Sequence, residues 1–156
     1  MSKDSVFLPH PNTFMKALHV PKERLDGKTR IAVNPALMKF LLEQLIGKLS
    51  FDQSYYLDQN PDVAESYKAG NILDLHEHFK TTGYFEGRQG SRPEVDEAFY
   101  LQSYPDVAEA IRAGRIRSAA EHYATTGAAE DRIPASKHAD LVRRWVEFAA
   151  EHDAKA

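Results

Sequence analysis

The strongest constraint in this sequence is internal: residues 51–90 lie on residues 95–134 without a gap, at a lag of 44. Matching pairs include Asp52/Asp96, Tyr56-Leu57/Tyr100-Leu101 and the five-residue run Pro61-Asp62-Val63-Ala64-Glu65/Pro105-Asp106-Val107-Ala108-Glu109. Glu77-His78/Glu121-His122, Thr81-Thr82-Gly83/Thr125-Thr126-Gly127, Glu86/Glu130 and Arg88/Arg132 continue the series in the same register. About 18 of 40 positions agree, and the period falls in the range of helical repeat units, so the chain contains a duplication.

Helix punctuation recurs with the residues. Ser50 with Gln53, and Ser91 with Glu94, have capping-box spacing and are expected to open a first helix in each copy. Asn60-Pro61 places a good cap before a proline whose missing N–H is harmless at the first helical position, and Gly70 supplies a left-handed stop. Asp74 with Glu77, and Ser118 with Glu121, cap a third segment expected to run to Gly83 and Gly127. On that segment Leu75, His78, Phe79 and Thr82 share one face, as do Ala119, His122, Tyr123 and Thr126. Each copy therefore reads as three short helices.

Short helices are marginal alone, so a duplicated unit needs flanking elements to close its ends. Asn34-Pro35 starts an N-side helix with a wide stripe of Leu37, Met38, Leu41, Leu42, Leu45, Ile46 and Leu49. On the C-side Ser136 opens a helix whose Leu141, Val142, Trp145, Phe148 and Ala149 face one way and Arg143, Arg144, Glu147 and Glu151 another. The expected fold is all-α: a duplicated three-helix repeat between capping helices. It is read as one domain over 1–156, with an N-terminal extension and cap at 1–50, repeats at 51–90 and 95–134, and a C-terminal helix at 135–156. Pro9, Pro11, Pro21 and Asp26-Gly27 punctuate the first 33 residues, leaving a short helix near Thr13 to Leu18 and extended chain.

Two phrases, Tyr56-Leu57-Asp58-Gln59-Asn60-Pro61-Asp62-Val63-Ala64 and His78-Phe79-Lys80-Thr81-Thr82-Gly83-Tyr84-Phe85-Glu86-Gly87-Arg88, resemble a bacterial repeat of the form YL..NPDVA followed by HY...G..EGR. That repeat is similar to ones accompanying glycosyltransferases and large surface or calcium-binding exoproteins. The resemblance covers 51–134 and implies a module in a bacterial glycan-assembly or cell-surface system. The second copy departs from it at Tyr104, where the first has Asn60, and at Asp131, where the first has Gly87.

Composition excludes several chemistries. With no cysteine there is no disulfide, thiolate metal site or cysteine nucleophile. A net charge of -3 provides no global basic field for nucleic acid. Arg112, Arg115, Arg117, Arg132, Lys137, Arg143 and Arg144 crowd the second half, but Glu121, Glu130, Asp131 and Asp140 are interspersed and make a mixed face. The N-terminus lacks a signal-peptide core, and the most apolar window, Ala36 to Leu49, is too short and too often charged to span a bilayer. The expectation is a cytoplasmic protein without membrane insertion, and the sequence leaves its oligomeric state open.

Two sets of residues are candidates for function. His78 and His122 recur beside an aromatic, with Asp62 and Asp106 in the second helices and Arg88 and Arg132 after the third segments. Such a trio can form a pocket for a small enzyme or ligand sensor. Equally, it can tie a helix end to a loop, carboxylate and guanidinium satisfying one another while the imidazole bonds a backbone carbonyl. His76 and His78 are two apart on a helix and cannot share a metal ion, the glycines from Gly83 to Gly90 match no nucleotide fingerprint, and no metal or cofactor is expected. The second set is Tyr84, Phe85 and Arg88, in a loop where the other copy has Ala128 and Ala129. Exposed, the two rings would stack on a glycan or anchor a protein partner; buried, they would pack on the N-terminal segment. The leading reading is a non-catalytic interaction module.

Overall fold

The computed structural model describes residues 9–19 and 31–153, with side chains to residue 150. Pro21, Asp26-Gly27 and the start of the chain, all named above, lie outside the described residues. Among the described residues every regular element is helical: α1 (Pro11–Leu18), α2 (Pro35–Ile46), α3 (Gln53–Gln59), α4 (Pro61–Lys68), α5 (Leu75–His78), α6 (Glu97–Ser103), α7 (Pro105–Arg112), α8 (Ala119–His122) and α9 (Ala139–Asp153). The chain is all-α. No helix among the described residues is long and apolar enough to cross a membrane.

Local chemistry explains most helix starts. Asn34 accepts from the Ala36 N–H at 2.9 Å to open α2, and Asp74 and Ser118 accept from the Glu77 and Glu121 amides at 3.0 and 3.1 Å to open α5 and α8. Two expected caps are corrected. α6 begins at Glu97, and its cap is Asp96, whose Oδ1 accepts from the Phe99 N–H at 3.0 Å; Ser91 stands too far upstream. Asn60 precedes α4 but makes no side-chain cap, because its amide oxygen is engaged by Arg88.

α4 and α7 stop in the same way. Gly70 and Gly114 take left-handed φ values of 77° and 70°, which lets the next amide reach back: Asn71 N–H donates to Ser66 O at 3.0 Å and Arg115 N–H to Ala110 O at 2.9 Å.

The third segments reach Gly83 and Gly127 as expected, but not as continuous α-helix. After one α-turn each widens into a π-helical turn, Phe79–Gly83 and Tyr123–Gly127. Tyr84 N–H donates to Phe79 O at 2.8 Å and Ala128 N–H to Tyr123 O at 2.9 Å, five residues back in each case. Thr81 and Thr125 contribute by donating their hydroxyls to the Glu77 and Glu121 carbonyls, an i−4 back-bond that bends the ladder.

The residues group into two compact units. Unit 1 comprises Met1–Gln53 and Asn60–Gly90; unit 2 comprises Ser54–Gln59 and Ser91–Ala156. In unit 1, Asp52 N–H donates to Gly90 O at 2.9 Å; in unit 2, Asp96 N–H donates to Pro134 O at 3.0 Å. These bonds sit 44 residues apart and close a loop of chain in each unit. α2 packs on the π-turn of unit 1 through a face that includes buried Ile46, with Gly47 against the Lys80 stem. Phe79 is buried there beneath Gly90 and stacks with Phe51 at 5.7 Å between ring centroids.

In unit 2, α6, α7 and α8 pack together around Tyr100, Val107 and Ala119, with Val95, Leu101, Tyr104, Ile111 and Tyr123 closing over them. The expectation that α9 buries its apolar face as a cap is not met. Leu141, Trp145 and Phe148 are 61%, 74% and 56% exposed. Met38, Leu45 and Leu49 of the α2 stripe are exposed as well.

Candidate functional site

Arg88 and Arg132 each hold a helix start against a loop. Arg88 donates through Nη1 and Nη2 to both oxygens of Asp62 at 2.9 and 2.7 Å, through Nε to Glu86 at 2.7 Å, and from Nη1 to Asn60 Oδ1 at 2.9 Å. Arg132 repeats the fork on Asp106 at 3.1 and 3.0 Å and on Glu130 at 2.7 Å. The bidentate geometry uses the planar guanidinium as no lysine can. Hydrogen bonding from the guanidinium holds the Asp62 and Asp106 carboxyls below the usual carboxylate range, and the carboxylates in turn raise both arginines.

The departure at Tyr104 follows from this arrangement. Where Asn60 accepts from Arg88, Tyr104 instead places its ring under the guanidinium of Arg132, 4.8 Å from Cζ to centroid. Its hydroxyl accepts from the Ile133 N–H at 2.7 Å. The aligned arginines thus differ in one contact: Arg132 lies over a ring, whereas Arg88 donates to an amide.

His122 is buried, but its partner is a side chain and not a backbone carbonyl. Nδ1 lies 3.0 Å from the Tyr100 hydroxyl, and the phenol is fully enclosed. Burial pushes the Tyr100 hydroxyl up to about 12. The histidine–tyrosine pair and the Arg132–Asp106 fork therefore form separate hydrogen-bonded groups in unit 2. His78, in unit 1, is half-buried. His76 stacks on Phe51 at 5.0 Å between centroids, and its Nε2 is buried with no hydrogen-bond partner among the described residues. Among the described residues no three His, Asp or Glu side chains cluster as metal ligands.

Tyr84 and Phe85 follow the π-turn of unit 1 and are 44% and 45% exposed. Tyr84 meets Phe79 edge-on at 6.3 Å and Phe85 edge-on at 5.6 Å. The Lys39 ammonium of α2 sits 5.6 Å from the Phe85 centroid. Both rings are thus partly packed and partly exposed to solvent, with a cation over Phe85. Arg88, grouped with these rings in the sequence, directs its guanidinium to Asp62, Glu86 and Asn60.

The basic residues of the second half are largely paired: Arg117 with Glu121, Arg132 with Asp106 and Glu130, Lys137 with Glu94, and Arg143 with Asp140. The apolar face of α9 is the surface whose exposure sequence reasoning missed, because periodicity marks a helix face as apolar without showing what covers it.

Comparison with known protein families, curated proteins and solved structures finds no match.

Proposed function

We propose that the chain is a non-catalytic interaction module, built on a duplicated three-helix repeat, that serves a bacterial glycan-assembly or cell-surface system. The observation that carries the interaction reading is the half-exposed Tyr84–Phe85 pair beside Lys39, at a position where the other copy has Ala128 and Ala129. Residues common to both copies serve the fold: each arginine is committed to an aspartate 26 positions upstream. Residues that differ are free for another task, and two adjacent rings offer a rigid area with few rotamers to freeze. The link to glycan assembly rests on the motif resemblance of 51–134. The partner is a protein or a glycan, and the module acts without a cofactor.

The test is capture from a bacterial lysate and on an array of bacterial glycans, comparing the natural chain with a Tyr84→Ala, Phe85→Ala double variant. A protein or glycan retained by the first and lost by the second, with unchanged far-UV circular dichroism, is the expected result. Equal capture by both overturns the assignment to these rings. Replacing His78 and His122 by Gln addresses the enzyme reading: an intact fold that loses turnover of any substrate would replace the module reading.

A further inference from the structure

The hydrogen bonds that tie the Tyr84–Phe85 loop to α4 come from one side chain. The amides of Tyr84, Glu86, Gly87 and Arg88 donate to acceptors between Phe79 and Tyr84, so they fold the loop onto its own π-turn and not onto another element. Among the described residues, the hydrogen bonds that leave this turn are those of Arg88, which reaches back 26 positions to Asp62 and 28 to Asn60. Gly87 aims it: with φ at 78° the chain turns back, and the Arg88 N–H returns to Gly83 O at 2.9 Å.

The same guanidinium grips the loop beside the rings. Its Nε donates at 2.7 Å to Glu86, the residue after Phe85, while Nη1 and Nη2 hold both oxygens of Asp62. A planar group that bonds a loop carboxylate and a helix-start carboxylate at once fixes one against the other, which a lysine cannot do. The contacts of the rings themselves, edge-on between Tyr84, Phe79 and Phe85 and through Lys39 over Phe85, are individually weaker than this charge-assisted fork.

The second unit supplies the comparison. Arg132 makes the same fork on Asp106 and Glu130, but the residues beside it are Ala128 and Ala129. Both forks serve the fold, and the first alone has large side chains to present. We propose that Arg88 is a positioning residue for the Tyr84–Phe85 pair, holding the rings in one arrangement for a partner that it does not itself touch. This rests on the reading of that pair as the interaction surface, and it assigns Arg88 an indirect part in binding, because its guanidinium is spent on Asp62, Glu86 and Asn60.

The test uses the full chain labelled with 3-fluorotyrosine, in which Tyr84→Phe identifies the fluorine resonance of Tyr84. Arg88→Lys keeps the charge and removes the fork; Arg132→Lys does the same in the other unit and serves as the control. Both are expected to lower the urea midpoint to a similar extent. Only Arg88→Lys is expected to broaden or shift the Tyr84 resonance, with exchange of the Gly87 amide about tenfold faster. Asp62→Asn is expected to move the same resonance while keeping the Arg88 bonds to Asn60 and Glu86, so it gives a reading even if Arg88→Lys fails to fold. A Tyr84 resonance unmoved by Asp62→Asn overturns the proposal, as does one moved equally by Arg132→Lys, which would make the effect one of overall stability. A glycan or protein retained through the rings is expected to bind Arg88→Lys about tenfold more weakly, the ordering cost of two side chains, and Arg132→Lys unchanged. Undiminished retention by Arg88→Lys also overturns it. Equal capture by the natural chain and the Tyr84, Phe85 double variant defeats the interaction reading instead, so the two fail on different measurements.

Discussion

The Tyr100 hydroxyl lies 3.0 Å from His122 Nδ1, in a part of unit 2 where the phenol is completely enclosed. The pair joins α6 to α8 and gives each polar atom a partner. Tyr100→Phe leaves the imidazole nitrogen without one and is expected to destabilise the fold by about 1–3 kcal/mol, read as a lower urea midpoint at unchanged slope. The same substitution alters the alkaline limb. The phenol is pushed up to about 12 from an ordinary 10.0, so its contribution is complete below pH 10 and lost as pH rises toward 12. Over that interval the natural chain is expected to lose stability more steeply than Tyr100→Phe in urea titrations at fixed pH.

The acid limb tests the arginine forks. Asp62 and Asp106 are held below the ordinary carboxylate range by Arg88 and Arg132, so their stabilisation is present above about pH 4 and disappears as pH falls through the depressed folded-state values. Asp62→Asn with Asp106→Asn is expected to lower the melting temperature at pH 7 and to flatten its decline between pH 4 and 2. Equal decline in both proteins would show that the forks carry no linkage.

Asp131 adopts a φ of 54° where its counterpart Gly87 has 78°. A residue with a Cβ pays roughly 1 kcal/mol for that left-handed conformation. Asp131→Gly is expected to raise stability by about 0.5–1 kcal/mol, a gain partly offset by the greater freedom of glycine in the unfolded chain. Differential scanning calorimetry at neutral pH would show the melting temperature rising.

Gly127 is set by close approach. A Cβ there would collide with the Tyr100 hydroxyl and stand 3.3 Å from His122 Nδ1; at Gly90 a Cβ would meet the Phe79 ring at 2.7 Å. Gly127→Ala and Gly90→Ala are each expected to cost about 1–3 kcal/mol by overpacking. Chemical denaturation distinguishes this from surface substitutions: a loss below about 0.5 kcal/mol at either position would mean that the facing ring moves aside freely.

Much of the secondary structure was legible because its causes are local. Asn34, Asp74 and Ser118 cap helices through bonds spanning two or three residues, and Gly70 and Gly114 end them within one turn, so residue type and spacing suffice. At Ser91 the capping-box spacing misplaced the start of the helix: α6 opens at Asp96, whose carboxylate accepts from the Phe99 N–H.

The 44-residue lag, the helical class and the aromatic difference at Tyr84 and Phe85 belong to the sequence by itself. Tertiary structure decided what distant residues do to one another. Arg88 takes Asn60 from its expected cap across 28 positions, Tyr104 replaces that amide with a ring beneath Arg132, and Tyr100 gives His122 a phenol in place of a carbonyl. It also left the α9 stripe uncovered. Hydrophobic periodicity records that a face prefers to leave water, and burial is non-directional, so the pattern is the same whether this chain or another molecule covers that face.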